Sequence, residues 1–272
     1  MVAAPHSSHV HTFIAALVEQ RIGLHYREGE RDLFVDKTTD HALERGYDSL
    51  LDYYYHLRYD ADGSRELDLL IEALLVHETY LFRELRALTM VVDRIVMPVL
   101  ERGRRPRIWS AACSTGEEPL SIAMLLAERG VLDRCELLAT DVSEPSIVRA
   151  RAARFRPRSL RGEGEELAQR WLERSGDHWV APRRLVDAID WSVLNLCDAE
   201  AVAALGRFDL VLCRHVLIYF GDNRVEEVIA SLTQRLRERG ALLVGISESL
   251  LRFSTELGCE EIDGVFVYRR QP

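Results

Sequence analysis

The stretch RIWSAACSTGEEPLSIA, residues 107–123, has the pattern of a β-strand followed by a tight turn and the start of a helix. Apolar residues dominate its first half, Gly116 lies in the turn, and Glu117 and Glu118 stand where the helix begins. When strands and helices alternate in a sheet, the turn after the first strand is where a nucleotide-like ligand binds. The residues of this turn therefore indicate the chemistry of the ligand.

The turn is not that of a dinucleotide site. Such a site needs the spacing GxGxxG so that the backbone can approach a pyrophosphate, and this turn contains only Gly116. Carboxylates at positions 117 and 118 suit the dipole of a helix but would repel a phosphate. S-adenosylmethionine, which carries a sulfonium and an ammonium group and no phosphate, fits this turn. The alternative is purely structural, a capping box of Ser114 and Glu117 with Pro119 in the first helical turn.

A second acid favours the cofactor. The segment CELLATD predicts a strand that ends at Asp141, which follows Gly116 by 25 residues. An acid about twenty residues beyond such a turn, at the tip of the second strand, binds ribose hydroxyls in doubly wound folds. A capping or surface role for Asp141 is the alternative.

Short apolar runs continue along the chain and alternate with helical stretches. Continuous apolar runs of this length are typical of a parallel sheet that is covered by helices on both faces. We therefore predict an α/β fold with a doubly wound, mostly parallel sheet over residues 107–272, and a small antiparallel β insertion near residues 175–190. The predicted strands are residues 107–113, 135–141, 191–196, 208–214, 241–247 and 264–270.

The first third of the chain has a helical pattern instead. Apolar residues recur there at intervals of three and four, and the recurrence stops at Gly23 and again at Gly46. A turn cluster, DADGS, separates two further helical segments at residues 60–64. We predict a helical domain over residues 1–84, followed by a linking helix and linker over residues 85–106.

The charge of the chain excludes two classes of function. Its 44 acidic and 35 basic residues give a formal net charge of −9, whereas general binders of nucleic acid or anionic membranes need excess cations. Most of this charge lies in residues 1–84, which hold 16 acidic and 8 basic residues. We interpret the arginine-rich segment at residues 149–162 as a solvated helix end rather than an RNA contact.

The five cysteines are scattered and form no CxxC pair, so neither a zinc site nor a disulfide framework is predicted. No apolar run approaches the roughly 18–20 residues of a membrane span. We expect a monomeric cytoplasmic protein without a metal ion.

Six segments, in a fixed order along the chain, carry a family resemblance: ETYLFRE (78–84), IWSAACSTGEEPLSIA (108–123), ATDVSEPSIVRAR (139–151), WSVLNL (191–196), FDLVLCRHVLIYF (208–220) and LLVGISESL (242–250). Together they resemble the CheR-type chemotaxis-receptor methyltransferases. The resemblance covers nearly the whole chain and implies a class I methyltransferase sheet. It also implies transfer of a methyl group from S-adenosylmethionine to glutamate side chains of a chemoreceptor or related signalling protein, giving a methyl ester and S-adenosylhomocysteine.

The resemblance implies roles for individual residues. Arg83 and Tyr219 would be catalytic, because a guanidinium can orient a carboxylate with two donors and a phenol can hold one of its oxygens. Glu117 or Glu118 would hold the amino group of the cofactor, and Asp141 its ribose hydroxyls. The full set of implied cofactor-binding residues is His77, Thr79, Arg83, Glu117, Glu118, Asp141, Asn195, Leu196, Arg214 and His215.

Methyl transfer of this kind joins an anionic carboxylate to the methyl group of a cationic sulfonium, so charge is neutralised in the transition state. Excluding water and aligning the partners therefore supply most of the catalysis. No general base is needed, because a glutamate with a reference pKa of about 4.3 is already ionised at neutral pH.

Two departures from the family leave other hypotheses open. His77 and His215 stand where the family has asparagine, and residues 31–46, which are arginine-rich in the family, are acidic here. An acidic surface would repel the acidic helices of a receptor. The alternatives are a methyltransferase for another protein or a small carboxylate, and a catalytically silent cofactor-binding scaffold.

Overall fold

The computed structural model describes residues 7–270 and divides the chain into two units. The helical unit comprises the chain up to Val76 together with Tyr219–Arg224, and the α/β unit comprises His77–Ile218 and the chain from Val225 onward. The segment 77–84, which the sequence analysis placed in the helical domain, therefore belongs by its contacts to the α/β unit. Residues 1–6 and 271–272 of the predicted domains lie outside the described residues.

Within the residues that the structure describes, the helical pattern of the first third of the chain corresponds to the α-helices α1 (Ser7–Ile22), α2 (Arg31–Glu44), α3 (Leu50–Tyr59) and α4 (Gly63–Leu74). Apolar positions at helical spacing form its core, and Ile14, Val18 and Leu70 have no exposed surface. Glu66 Oε1 lies 3.2 Å from Tyr53 Oη and 3.1 Å from His41 Nε2, so one carboxylate joins α2, α3 and α4.

The α/β unit begins with the segment 77–84 and continues into a helical stretch built of α5 (Leu85–Val91), a π-helical turn (Val92–Val96) and α6 (Met97–Glu101). Its remaining helices are α7 (Glu117–Glu128), α8 (Glu144–Ala152), α9 (Glu165–Trp171), α10 (Arg183–Val186), α11 (Ala199–Ala204) and α12 (Asp222–Arg235), of which α12 starts in the helical unit. Across residues 7–270, every helix is too short or too polar to span a lipid bilayer.

Seven strands form the main sheet in the order β6-β2-β1-β7-β8-β10-β9. The first five are mutually parallel and β10 is antiparallel to both of its neighbours, so the prediction of a doubly wound, mostly parallel sheet is confirmed. These strands are β1 (Arg107–Ala111), β2 (Glu136–Asp141), β6 (Ile189–Val193), β7 (Phe208–Cys213), β8 (Leu236–Leu243), β9 (Leu257–Ile262) and β10 (Val265–Arg270).

The antiparallel insertion is present as a three-stranded sheet in the order β3-β5-β4. Its strands are β3 (Arg154–Phe155), β4 (Glu173–Ser175) and β5 (His178–Val180), so it lies earlier in the chain than the predicted residues 175–190. The residues that follow β5 form α10 and then β6 of the main sheet.

Strand β1 is the point at which the chain reverses its direction of travel across the sheet. Ala111 at its end is level with Thr140 of β2 on one side and with Cys213 of β7 on the other. Ligands of such sheets bind in the crevice outside the carboxyl ends of the strands at this switch point. The loops after β1, β2 and β7 therefore form the candidate site.

The segment 77–84 packs closely against the start of α9. A Cβ atom added to Gly164 would lie 2.7 Å from Phe82 Cγ and closer still to Phe82 Cβ. Phe82 is buried and has a left-handed backbone with φ of +58°, so it has little room to move away.

We therefore expect Gly164→Ala to lower the free energy of unfolding by about 1–3 kcal/mol, the usual cost of overpacking. For a chain of this size that corresponds to a fall of several degrees in Tm, measured by circular dichroism. Gly29→Ala is the matched control, because an added Cβ there meets nothing within 4 Å. Equal Tm values for the two variants would contradict the expected packing.

Candidate active site

The turn after β1 is tight and contains three residues with a left-handed backbone. Ala112, Ser114 and Gly116 all have positive φ, of +61°, +50° and +93°. A Cβ at Gly116 would lie 2.8 Å from Ala150 Cβ of α8, so a larger residue at this position would push the turn off that helix. The close approach explains the single glycine of the motif.

The capping-box alternative for this turn is wrong. Gly116 is the N-cap of α7 and provides no side-chain cap. Ser114 Oγ is buried without a hydrogen-bond partner among residues 7–270. The carboxylate of Glu117 binds Thr115 and Ser159 instead of the backbone of the turn.

Asp141 lies at the tip of β2, as predicted, and is buried. Its Oδ2 accepts a hydrogen bond from the backbone N–H of Ser114 at 2.7 Å, and its Oδ1 accepts from that of Ser143 at 3.0 Å. Its own carbonyl accepts from the N–H of Leu194 at 2.9 Å. The carboxylate of Asp141 thus fixes the loops after β1 and β2. The backbone of Asp141 holds Leu194, the residue just before Asn195 and Leu196.

Glu117 is an almost completely buried carboxylate at the start of α7, with 3% of its surface exposed. It accepts hydrogen bonds from Thr115 Oγ1 at 2.7 Å and from Ser159 Oγ at 3.0 Å, and it makes no ion pair within residues 7–270. Burial raises the pKa of Glu117, and the hydroxyl groups, a backbone hydrogen bond and the charge of Arg158, which lies beyond ion-pair distance, offset only part of that effect. A buried carboxylate without a cationic partner is suited to receive one from a ligand.

Glu118 has a different environment, because it pairs with Arg214. Its Oε1 accepts from Ser110 Oγ at 2.6 Å, and its Oε2 accepts from Arg214 Nη1 at 2.8 Å. The Arg214 side chain is 1% exposed, and its Nη2 donates to Glu84 Oε2 at 2.9 Å and to the carbonyl of Arg83 at 2.8 Å. Burial opposes the charge of Arg214, but the two carboxylates outweigh it and raise its pKa.

Glu84 is a residue of the site that the sequence analysis did not single out. Besides Arg214, it contacts His215, whose Nε2 lies 3.0 Å from Glu84 Oε1. Burial works against the charge of Glu84, but the close contact with His215 and the charge and hydrogen bond of Arg214 prevail and lower its pKa to about 2. The only signal for it in the sequence is its place at the end of ETYLFRE.

Glu248 is a second residue without a predicted role. Its Oε2 accepts from the backbone N–H groups of His215 at 2.6 Å and Gly245 at 2.7 Å, and its Oε1 accepts from that of Ile218 at 3.3 Å. His215 has a left-handed backbone with φ of +60°. The buried carboxylate of Glu248 therefore shapes the loops after β7 and β8. The one feature of the sequence that could have indicated this residue is its position in LLVGISESL.

The remaining predicted residues are distributed over both units. In the segment 77–84, His77 Nδ1 lies 3.2 Å from Ser146 Oγ, and Thr79 is half-buried. In the same segment, Arg83 Nη1 donates to the carbonyl of Glu78 at 3.0 Å.

After β6, Asn195 Oδ1 accepts from the N–H of Cys197 at 2.9 Å, and Leu196 is buried. Tyr219 belongs to the helical unit, where its carbonyl accepts from the N–H of His25 at 2.8 Å.

The residues present in the α/β unit fit S-adenosylmethionine. Within residues 7–270, Glu117 offers a carboxylate without an ion pair for an ammonium group, and Ser114 Oγ is a buried polar atom without a hydrogen-bond partner. Asp141 stands where ribose hydroxyls are bound in sheets of this type. The two acids at the start of α7 would repel the phosphate of a dinucleotide.

Comparisons with known proteins agree with this fit. A family model described as CheR methyltransferase, SAM binding domain, matches residues 77–265. Chemotaxis protein methyltransferase 2 of Vibrio cholerae is 32% identical over 246 residues, which cover 87% of this chain and 84% of the relative. The chemotaxis protein methyltransferase of Escherichia coli K12 is 30% identical over 242 residues, 87% of this chain and 82% of that protein.

Among solved structures, the N-methyltransferase NodS from Bradyrhizobium japonicum in complex with S-adenosyl-L-homocysteine matches with a TM-score of 0.35. It is 17% identical, and the match covers 71% of this chain and 70% of NodS.

The lowered pKa of Glu84 predicts how stability depends on pH. A carboxyl group whose pKa falls from 4.5 in the unfolded chain to about 2 in the folded one stabilises the fold above the first value. This contribution is lost as the pH falls through the second. We therefore expect the stability deficit of Glu84→Gln, measured by urea unfolding, to be largest near neutral pH and to shrink below a pH of about 4. Glu256→Gln, at an exposed position, should show no such trend. A deficit independent of pH would contradict this account.

Proposed function

The chain belongs to the CheR methyltransferase family, and on this premise we propose that it uses S-adenosylmethionine to methylate glutamate side chains of a chemoreceptor. The observation that carries the proposal is the family match over residues 77–265, which contains the whole turn after β1 and the segment 77–84. The products are a glutamate methyl ester and S-adenosylhomocysteine. We place the reaction in the cytoplasm and assign it to a monomer.

The cofactor, when bound, supplies a methyl group on a positively charged sulfur. We assign its ribose hydroxyls to Asp141 and its adenine to the neighbourhood of Asn195 and Leu196. The hydrogen bond from the N–H of Leu194 to the carbonyl of Asp141 supports this assignment, because it keeps these groups side by side. His77 and Thr79 of the segment 77–84 complete the cofactor-binding set.

We assign the ammonium group of the cofactor to Glu117 rather than Glu118. The negative charge of Glu118 is already balanced by Arg214 at 2.8 Å, whereas the Glu117 carboxylate accepts from two neutral hydroxyls and feels Arg158 only beyond ion-pair distance. An ammonium ion would supply the counter-charge that this buried carboxylate lacks. Arg214 and His215 then support the cofactor-binding loops mainly through their contacts with Glu84 and Glu118.

Arg83 and Tyr219 are the proposed catalytic residues. The guanidinium of Arg83 orients the carboxylate of the substrate, and the phenol of Tyr219 holds one carboxylate oxygen. A glutamate is ionised at neutral pH, so neither residue has to remove a proton. Their contribution is alignment of the carboxylate with the methyl group in the absence of water.

The helical unit favours a second candidate substrate within the same reaction. The carboxylates of α2 at Asp32, Asp36, Asp40 and Glu44 are exposed and make no ion pair within residues 7–270. Such a surface favours a signalling protein whose methylated glutamates lie beside basic residues, since an acidic helix would be repelled.

Methyl transfer from S-adenosylmethionine labelled in its methyl group tests the proposed substrate. We expect base-labile label on chemoreceptors from the same cell, because a carboxyl methyl ester is hydrolysed by base whereas a methylated amine is not. Label that appears only on other proteins would support the second candidate. Label that resists base, or no transfer at all, would contradict carboxyl methylation.

Glu117→Gln tests the assignment of the ammonium group. The amide keeps one oxygen for Thr115 or Ser159 but has no charge, so we expect the Kd for S-adenosylmethionine to rise by about 10- to 100-fold. Calorimetry measures this change. Glu128→Gln at the other end of α7 is the control, with an expected Kd within about twofold of the parent. An unchanged Kd for Glu117→Gln would move the assignment to Glu118.

A further inference from the structure

Glu84 has the contacts of a residue that positions its neighbours. Its Oε2 accepts from Arg214 Nη2 at 2.9 Å, its Oε1 lies 3.0 Å from His215 Nε2, and Oε1 also accepts from the N–H of Ile246 at 3.4 Å. The carbonyl of Glu84 accepts from the N–H groups of the first turn of α5. Glu84 therefore links the segment 77–84 to the loops after β7 and β8 and to the next helix.

The backbone around Glu84 is in an unfavourable conformation. Phe82 and Glu84 both have φ of +58°, and His215 has φ of +60°, a region that residues other than glycine rarely adopt. Such conformations persist only where the surroundings fix them. At Phe82 the N–H donates to Ser121 Oγ at 2.8 Å, and at Glu84 and His215 the contact between the two side chains contributes.

Arg83 lies between the two left-handed residues. Its carbonyl accepts from Arg214 Nη2 at 2.8 Å, the same nitrogen that donates to Glu84 Oε2. Without the carboxylate of Glu84, that nitrogen loses the partner that holds it against the carbonyl of Arg83. One nitrogen of Arg214 thus joins the carboxylate of Glu84 to the backbone of Arg83.

We propose that Glu84 is a positioning residue for methyl transfer, which acts by fixing Arg83 through the buried guanidinium of Arg214. This inference rests on the proposed function, because it takes Arg83 as the residue that orients the substrate carboxylate. A carboxylate is required, since its Oε2 accepts from Arg214 Nη2 while its Oε1 accepts from the N–H of Ile246 and lies 3.0 Å from His215 Nε2. An amide has a single acceptor oxygen and would turn its NH₂ group toward one of the two N–H donors, Arg214 or Ile246.

Glu84→Gln is the first variant to measure. We expect kcat to fall by about 10- to 100-fold, because small displacements of a positioned group have effects of this size. The Kd for S-adenosylmethionine should change by less than about threefold, since Glu118 still pairs with Arg214. Glu78→Gln is the matched control, because Glu78 lies in the same segment and pairs with Arg161 at the surface. Its kcat should stay within about twofold of the parent.

A double-mutant cycle with Arg83→Ala separates positioning from a general loss of structure. If Glu84 acts through Arg83, Glu84→Gln changes kcat by no more than about twofold in the Arg83→Ala background. A full loss in that background would overturn the proposal. Glu84→Asp keeps the charge but is one methylene shorter, and it takes the place of Glu84→Gln if that variant does not fold, with an expected loss in the same direction.

Hydrogen–deuterium exchange of the full chain gives a readout that does not depend on activity. We expect faster exchange of the peptide at residues 77–84 in Glu84→Gln than in Glu78→Gln, and equal exchange would overturn the proposal. A parent protein that transfers no methyl group would refute the proposed function instead, and the exchange result would still decide whether Glu84 fixes the segment 77–84. An Arg83→Ala variant with undiminished kcat would overturn the positioning role, because that role takes Arg83 as the residue that orients the substrate carboxylate.

Discussion

The buried guanidinium of Arg214 is the constraint on which the rest of the site depends. With 1% of its side chain exposed, it is stable only if carboxylates surround it, and removing one partner of such a buried pair is costly. Glu118 comes from the start of α7 and Glu84 from the segment 77–84. The need to neutralise one charge thus brings three parts of the chain to the carboxyl end of β7. The turn after β1 and the segment that carries Arg83 have fixed positions for this reason.

The central part of the fold was predictable because its strands are buried on both faces. The strands β1, β2 and β7 read as continuous apolar runs, which only the interior of a parallel sheet requires. Strand β9 was not predicted, since it lies at the edge of the sheet and four of its six residues are charged, small or thiol-bearing. The insertion was misplaced along the chain for a related reason, because β3 has two residues and β4 is fully exposed.

The residues of the candidate site likewise fall into those that the sequence predicted and those that it did not. Asp141 and the acids at the start of α7 were identified because they stand at fixed distances from the glycine turn along the sequence. Glu84 and Glu248 were not, because their importance comes from partners far along the chain: Arg214 follows Glu84 by 130 residues, and Glu248 follows His215 by 33. Apart from their places in the segments ETYLFRE and LLVGISESL, no local pattern distinguishes these two carboxylates from ordinary surface acids. Their roles are visible only once the strands have assembled.

The inclusion of Tyr219–Arg224 in the helical unit has a consequence for co-translational folding. Leu24 forms an antiparallel bridge with Phe220, and the N–H of His25 donates to the carbonyl of Tyr219. The N-terminal helices are translated first, yet this piece of their unit emerges only after most of the α/β chain has been synthesised. The helical unit can therefore be completed only after residues 219–224 have been synthesised, although its first helices are translated before the α/β unit.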